Sequence, residues 1–361
     1  MKILTICDSF KGTLSSKEIG ILVTEVLNKK GHNANYVSIS DGGEGFIESF
    51  SEILKVEPLI IKTQGPLPYQ EVEAKYLFDE KTKTGFVELA QSAGITLIKK
   101  LAPYETNTYG VGQVIKHLII NHQATKIYLG VGGSATIDLG VGMLEALGTK
   151  FYDENNNSIN NVSQKDLNKI KNINTTELNN LIKNIEFNVL SDVSAPILGE
   201  NGGLRVYTPQ KGASIEDLNI MENNIKNYIK TVKKTVNNEY IDDAYLGAAG
   251  GINYSLKYFL KAKIKLGISA LLEIVKFDKI IKEYDIIISG EGKFDYQTLQ
   301  GKVIKGIMEY NPKRLIIISA INDLPNTDME VYSIVPKIAS VNESLNHPKE
   351  CLKKLIETIE L

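Results

Sequence analysis

The chain contains no tryptophan, two cysteines, and two arginines among its 41 basic residues. Each scarcity excludes something. Cys7 and Cys351 stand at opposite ends, so they form neither a metal-spaced pair nor a disulfide framework. The four histidines make no HExxH pattern, which speaks against a structural zinc site. Basic and acidic residues nearly balance, with a formal net charge of −2. A dedicated nucleic-acid binder carries a basic excess, often rich in arginine, so no nucleic-acid partner is expected. No apolar run approaches the length that spans a bilayer, so no membrane partner is expected either. The opening stretch meets an acid at Asp8, too early for a signal-peptide core, and reads as a strand. These absences predict a cytoplasmic protein.

What is present is ordinary for a globular chain: 361 residues, 43% hydrophobic and 23% charged. At roughly 150 residues per domain, the length predicts about two domains. Residues 2–7 form a short apolar run. Ser15-x-x-Glu18 is a capping-box pattern, followed by Ile19, Leu22, Val23, Val26 and Leu27 at helical spacing, with Gly31 as a stop. Residues 35–40 read as the next strand. Gly65-Pro66-Leu67-Pro68 is a breaker cluster. Residues 59–62, 71–78, 85–89, 126–129 and 187–190 read as further strands, and Val111 to Ile119 as a helix. Residues 155–184 hold 11 asparagines yet keep a helical period, which predicts weakly amphipathic surface helices. The last third alternates again: strand 285–289, helix 298–310, strands 315–320 and 331–335, and a helix opened by Pro348. Such alternation predicts parallel sheets, with ligands beyond the carboxyl ends of the strands.

Five strand ends carry polar, glycine-rich sequence. Asp8-Ser9-Phe10-Lys11-Gly12 offers an acid, a hydroxyl and a lysine that can hold a metal ion or a phosphate, although an ordinary βα loop looks the same. Asp41-Gly42-Gly43-Glu44-Gly45 sets two carboxylates suited to Mg²⁺ among three glycines; the plain alternative is an acidic turn. Gly130-Val131-Gly132-Gly133-Ser134-Ala135-Thr136 precedes a helix, where exposed amides favour anions. It also fits G-x-G-x-x-A, with Asp153 and Glu154 about 20 residues on, where a dinucleotide site puts its ribose-binding acid. No GxxxxGK[ST] sequence exists. Asp192 ends a strand and can act as a general base, a metal ligand or a loop cap. Gly290-Glu291-Gly292-Lys293-Phe294-Asp295 again puts mixed charge on a glycine-relaxed loop; Asp295 alternatively answers a helix dipole. Acids, lysines and free amides at several strand ends are the parts phosphoryl transfer requires.

Taken in order, these blocks resemble the bacterial glycerate kinases of the type that phosphorylates the 2-hydroxyl of glycerate. Pro209-Gln210-Lys211-Gly212-Ala213, Gly247-Ala248-Ala249-Gly250-Gly251, Gln297-Thr298-Leu299, Gly301-Lys302 and Thr108-Tyr109-Gly110-x-Gly112 complete the match. The resemblance implies an α/β protein of two domains with the active site in the cleft between them. One is Rossmann- or flavodoxin-like with a parallel sheet, built from residues 1–62 and 265–361; the second is a mixed α/β domain over 63–264. It implies ATP and Mg²⁺, with glycerate as the acceptor and a homo-oligomer as an open option. Asp192 is the expected base, ahead of Asp8. Lys11 and Lys211 neutralise phosphate charge; Ser9, Gly132, Gly133, Ser134, Gly290 and Lys293 bind substrate or phosphate. Asp41, Glu44, Glu291 and Asp295 are the expected Mg²⁺ ligands, with Asp192 a further candidate. The chain departs from the family pattern at Phe46, Ile137, Leu139, Ser194, Ala195, Tyr245 and Leu246. Two other classes compete: an NAD(P)-dependent oxidoreductase built on the 130–135 glycines, and a non-catalytic sugar-acid binding or sensor protein.

Overall fold

A computed structural model describes the chain except for residues 40–42, 44, 192, 237–243, 266, 297, 299–302 and 325. The chain divides into two compact units, residues 1–40 with 268–361 and residues 41–267. The crossing from the smaller unit therefore comes earlier than residue 62. Residues 59–62 lie inside a strand of the larger unit's sheet.

The smaller unit opens with β1 (Lys2–Cys7), helix Ser16–Lys29 and β2 (Asn33–Tyr36). The helix begins where the capping box predicts. Glu18 N–H donates to Ser15 Oγ at 3.2 Å, and Ser15 N–H donates to Glu18 Oε2 at 3.0 Å. Its apolar stripe of Ile19, Val23, Val26 and Leu27 is buried on the sheet.

The larger unit follows with β3 (Leu59–Gln64), β4 (Glu71–Asp79), β5 (Thr84–Glu88), β6 (Lys126–Gly130), β7 (Lys150–Tyr152), β8 (Ser158–Ile159), β9 (Asn172–Asn174), β10 (Glu186–Leu190) and β11 (Lys263–Lys265). Its main sheet has the order β11-β10-β6-β5-β4-β3, parallel from β5 to β11 and antiparallel at β3 and β4. Glu88, Gly130 and Leu190 sit level, so the loops after β5, β6 and β10 leave from one edge. The asparagine-rich stretch differs from the helical expectation. It holds β8 and β9, which pair with β7 in a short antiparallel sheet, a single 3-10 turn at Gln164–Asp166 and the α-helix Thr176–Ile182. Only Leu178 of that helix is buried, too little apolar surface to hold a longer one.

The chain then returns to the smaller unit with β12 (Ile286–Phe294), β13 (Leu315–Asn322) and β14 (Glu330–Ser333). The sheet order is β14-β13-β12-β1-β2, all parallel. From β1 the chain winds to one side and from β12 to the other, so their carboxyl ends flank a topological switch point, where open α/β sheets bind ligands. β12 runs past the expected end at residue 289, because Gly290, Glu291 and Lys293 stay in the ladder with β13. Gly290 allows this: a Cβ there would overlap the Ile318 carbonyl oxygen.

Candidate functional site

The smaller unit gathers one group of the expected residues at its switch point. A cavity of about 290 Å³ is lined by Asp8, Ser9, Lys11, Glu291, Lys293 and Asp295, among others. Asp8 N–H continues the ladder by donating to Gly290 O at 2.8 Å. Asp8 Oδ1 accepts from Ser9 N–H at 2.7 Å, which orients the carboxylate at the strand end. Lys11 sits on a tight turn in which Phe10 and Leu14 exchange backbone hydrogen bonds, so its side chain is exposed. Gly292 faces Phe10 and Lys11 across the cavity mouth. Glu291 is buried on β12 and Lys293 is exposed, one on each side of Gly292.

Two of these groups are occupied differently from expectation. Lys293 Nζ pairs with Asp323 at 2.7 Å, an exposed ion pair that raises the lysine's pKa. Asp295 and Thr298 cap each other: Thr298 N–H donates to Asp295 Oδ1 at 3.3 Å, and Asp295 N–H to Thr298 Oγ1 at 3.0 Å. That is the turn-capping role of a short acid at the start of a helical turn.

The larger unit holds a second group. A cavity of about 430 Å³ lies at the carboxyl ends of β6 and β10, lined by Gly132, Gly133, Ser134, Ser191, Tyr207 and Lys211, among others. The loop after β6 is zipped to the loop after β5: Ile95 N–H donates to Gly133 O and Ala135 N–H to Ala93 O, both at 2.9 Å. The amides of Gly132 and Gly133 find no acceptor among the described residues, which leaves them available to an anion. Ser134 differs from its expected role. Its hydroxyl accepts from Thr136 N–H at 2.9 Å and pairs with the Thr136 hydroxyl, so it orders the loop.

Thr136 is where three distant segments meet. Lys211 Nζ donates to Thr136 O at 2.7 Å. Gly250 presses against the same carbonyl; a Cβ there would overlap it. Lys211 is only 4% exposed, and burial lowers its pKa from 10.5 to about 7, opposed by the charge of Asp138. Asp138 is fully buried. Its carboxylate accepts from Thr108 N–H at 2.9 Å, Thr108 Oγ1–H at 2.8 Å, and Gly140 and Gly142 N–H at 3.1 Å. Burial pushes the carboxyl pKa up and these four donors pull it down. The net shift is upward, so burial outweighs the four donors. Sequence reasoning missed Asp138. The signal was a single acid inside the apolar run from Ile137 to Val141.

The departures from the family pattern fall mostly in the core and backbone. Ile137 and Leu139 are buried in the apolar core. Leu139 and Tyr245 hold left-handed backbone, φ 53° and 78°, a conformation that glycine adopts without cost. Phe46 packs in a core triad with Phe50 and Phe86.

The dinucleotide reading fails on geometry. Ten residues separate β6 from helix Val141–Ala146, so the glycines of 130–133 do not open a helix. Asp153 instead caps the β7–β8 turn, accepting from Asn155 and Asn157 N–H at 2.8 Å. The expected residues Asp41, Glu44 and Asp192 lie outside the described residues. Among the described residues, no three His, Cys, Asp or Glu side chains cluster as a metal centre. Mg²⁺ needs fewer, since it keeps waters and substrate oxygens, and Asp8 and Glu291 line one cavity. A larger cavity, about 910 Å³, opens at the amino ends of β10 and β11 and gathers none of the expected residues. Among the described residues, no helix is long and apolar enough to cross a membrane.

Comparisons with known proteins agree with one another. The profile of the glycerate kinase family matches residues 3–360. The chain is 30% identical to a glycerate kinase of Halalkalibacterium halodurans, over 98% of this chain and 95% of that one. It is 34% identical to the glycerate 2-kinase of Escherichia coli, over 85% of this chain and 81% of that one. A crystal structure of a glycerate kinase 2 candidate from Salmonella typhimurium superposes with a TM-score of 0.83 at 27% identity, covering 99% of this chain and 96% of the other.

Proposed function

The chain belongs to the glycerate kinase family, and on that premise we propose that it transfers the γ-phosphoryl group of ATP to the 2-hydroxyl of glycerate, giving 2-phosphoglycerate and ADP. The observation that carries this reading is Lys211. It is a buried cation on a small cavity, held by a backbone carbonyl, with two glycine amides on the same wall. A protein does not bury a lysine there for stability, since removing its hydration is costly. The arrangement suits an anionic group, a carboxylate or a phosphate, which would raise the lysine's pKa on binding.

The hydroxyl oxygen of glycerate attacks the γ-phosphorus while the bond to the ADP oxygen breaks, and the hydroxyl proton passes to a carboxylate. Asp192 is the proposed base and Asp8 the next candidate. Asp8, Glu291 and Asp295, with Asp41 and Glu44, are the proposed holders of Mg²⁺, which when bound spreads the phosphate charge. Lys11 and Lys293, beside Ser9, supply the cations of the smaller unit's cavity, and Gly290 holds the strand that carries Glu291 and Lys293. Lys211, Gly132 and Gly133 fix an anionic end of a reactant, and so orient the hydroxyl.

The test is incubation with MgATP and a panel of small hydroxy acids, following ADP release and identifying the product by phosphorus NMR. Release with D-glycerate and a 2-phosphate product is expected. No release above background would refute the activity; a 3-phosphate product would refute the regiochemistry alone.

A further inference from the structure

A separate convergence of chemistry lies outside both cavities. Tyr76 stands on β4. His117 is in helix Tyr109–Asn121, and His122 caps the carboxyl end of that helix. The Nε2 atoms of both imidazoles reach the Tyr76 phenol oxygen, at 3.2 Å from His117 and 3.0 Å from His122. The imidazole centroids are 5.2 Å apart and their planes cross at 69°. Phe78 packs against His122, with ring centroids 4.7 Å apart. Tyr76 is buried, whereas both histidines are half-buried and within reach of solvent.

One phenol cannot donate to both imidazoles. Its single proton can go to only one Nε2, so at least one ring meets the phenol oxygen through its Nε2–H. Both ring nitrogens thus meet the phenol oxygen, with oxygen-to-nitrogen edges of 3.0 and 3.2 Å. Metal bonds of about 2.0–2.2 Å to nitrogen and oxygen at angles between square and tetrahedral need edges of this length, roughly 3 Å.

We propose that Tyr76, His117 and His122 form a binding site for a late first-row divalent cation such as zinc, with solvent completing the coordination. Two imidazoles and a phenolate suit zinc or copper and are poor ligands for Mg²⁺, so this site is chemically distinct from the oxygen ligands proposed for the kinase reaction. The proton balance is definite. The ring that donates through Nε2 moves its proton to Nδ1, the phenol loses its proton on becoming a ligand, and one proton leaves for each cation bound.

The experiment is titration calorimetry of the full chain with Zn²⁺ in two buffers of different ionisation enthalpy, together with absorption spectra after adding Cu²⁺. One site is expected, releasing one proton, and copper should give a phenolate-to-metal charge-transfer band. His117→Ala should weaken Zn²⁺ binding by about tenfold or more, since even changes outside the ligand set cost that much. Tyr76→Phe should abolish both the band and the proton release. Circular dichroism of each variant checks that it folds, and glycerate turnover is not needed as a readout. Equal Zn²⁺ affinity in the wild type and the His117→Ala/His122→Ala double variant would overturn the proposal. So would a copper-loaded wild type with no band and no proton release, which would leave the cluster as a hydrogen-bonded one only.

Discussion

Replacing Lys211 by methionine separates stability from function at one position. In the unfolded chain the lysine titrates at its ordinary 10.5, whereas in the fold burial lowers this to about 7. Below pH 7 both states hold the proton, and the folded state bears the full cost of a buried charge. Between pH 7 and 10.5 the unfolded chain binds more protons, so wild-type stability rises with pH, by at most about 1.4 kcal/mol per pH unit. Above 10.5 the contribution vanishes. Methionine has no such titration. The unfolding free energy of wild type minus that of Lys211→Met should therefore climb by about 3 kcal/mol from pH 7 to 9.5. At pH 7 the variant escapes about 4 kcal/mol of burial cost. It also leaves the Thr136 carbonyl without its donor, which costs about 1–3 kcal/mol. A net gain of about 1–3 kcal/mol follows from these two terms. Urea unfolding followed by far-UV circular dichroism measures the difference at each pH. In the same variant, kcat/KM for glycerate should fall about tenfold to hundredfold, the worth of one charge-assisted hydrogen bond. A stability difference that stays flat from pH 7 to 9.5 would refute the reasoning, because it would mean that Lys211 keeps an ordinary, solvated charge.

Other outcomes follow from the same structure. Asp138→Asn puts an amide where four donors converge, and should lower stability by about 2–4 kcal/mol in urea titrations, because one buried donor is left facing another. Gly250→Ala forces a Cβ onto the Thr136 carbonyl at a left-handed backbone position. It should cost about 1–3 kcal/mol and reduce glycerate turnover, whereas Gly12→Ala, left-handed but in open space, should cost less. Glu291→Gln should raise the Mg²⁺ concentration needed for half-maximal turnover while leaving the urea midpoint nearly unchanged; an unchanged Mg²⁺ dependence would remove Glu291 from the metal site. Ser15→Ala removes the helix cap and should cost about 1 kcal/mol with activity intact.

The amino-acid sequence by itself determined most local structure. Period-2 and period-3.6 apolar patterns depend only on neighbours along the chain, so β1, the capped helix at Ser15 and the helix opened by Pro348 sit where the pattern puts them. The ordered glycine-rich blocks also pointed to the family, since each is a local backbone demand. Tertiary structure decided what depends on neighbours far along the chain. Gly290 to Phe294 became strand because β13 lies alongside to pair with them. The Gly130–Thr136 segment became a wall instead of a helix start because Ala93 and Ile95 bind its backbone. Most of all, Lys211 gained its depressed pKa and Asp138 its four donors only when residues 108, 136, 211 and 250 were packed around one carbonyl and one carboxylate. Charge and residue type are written in the sequence. The desolvation that makes them reactive is a property of the fold, because it depends on what excludes the water.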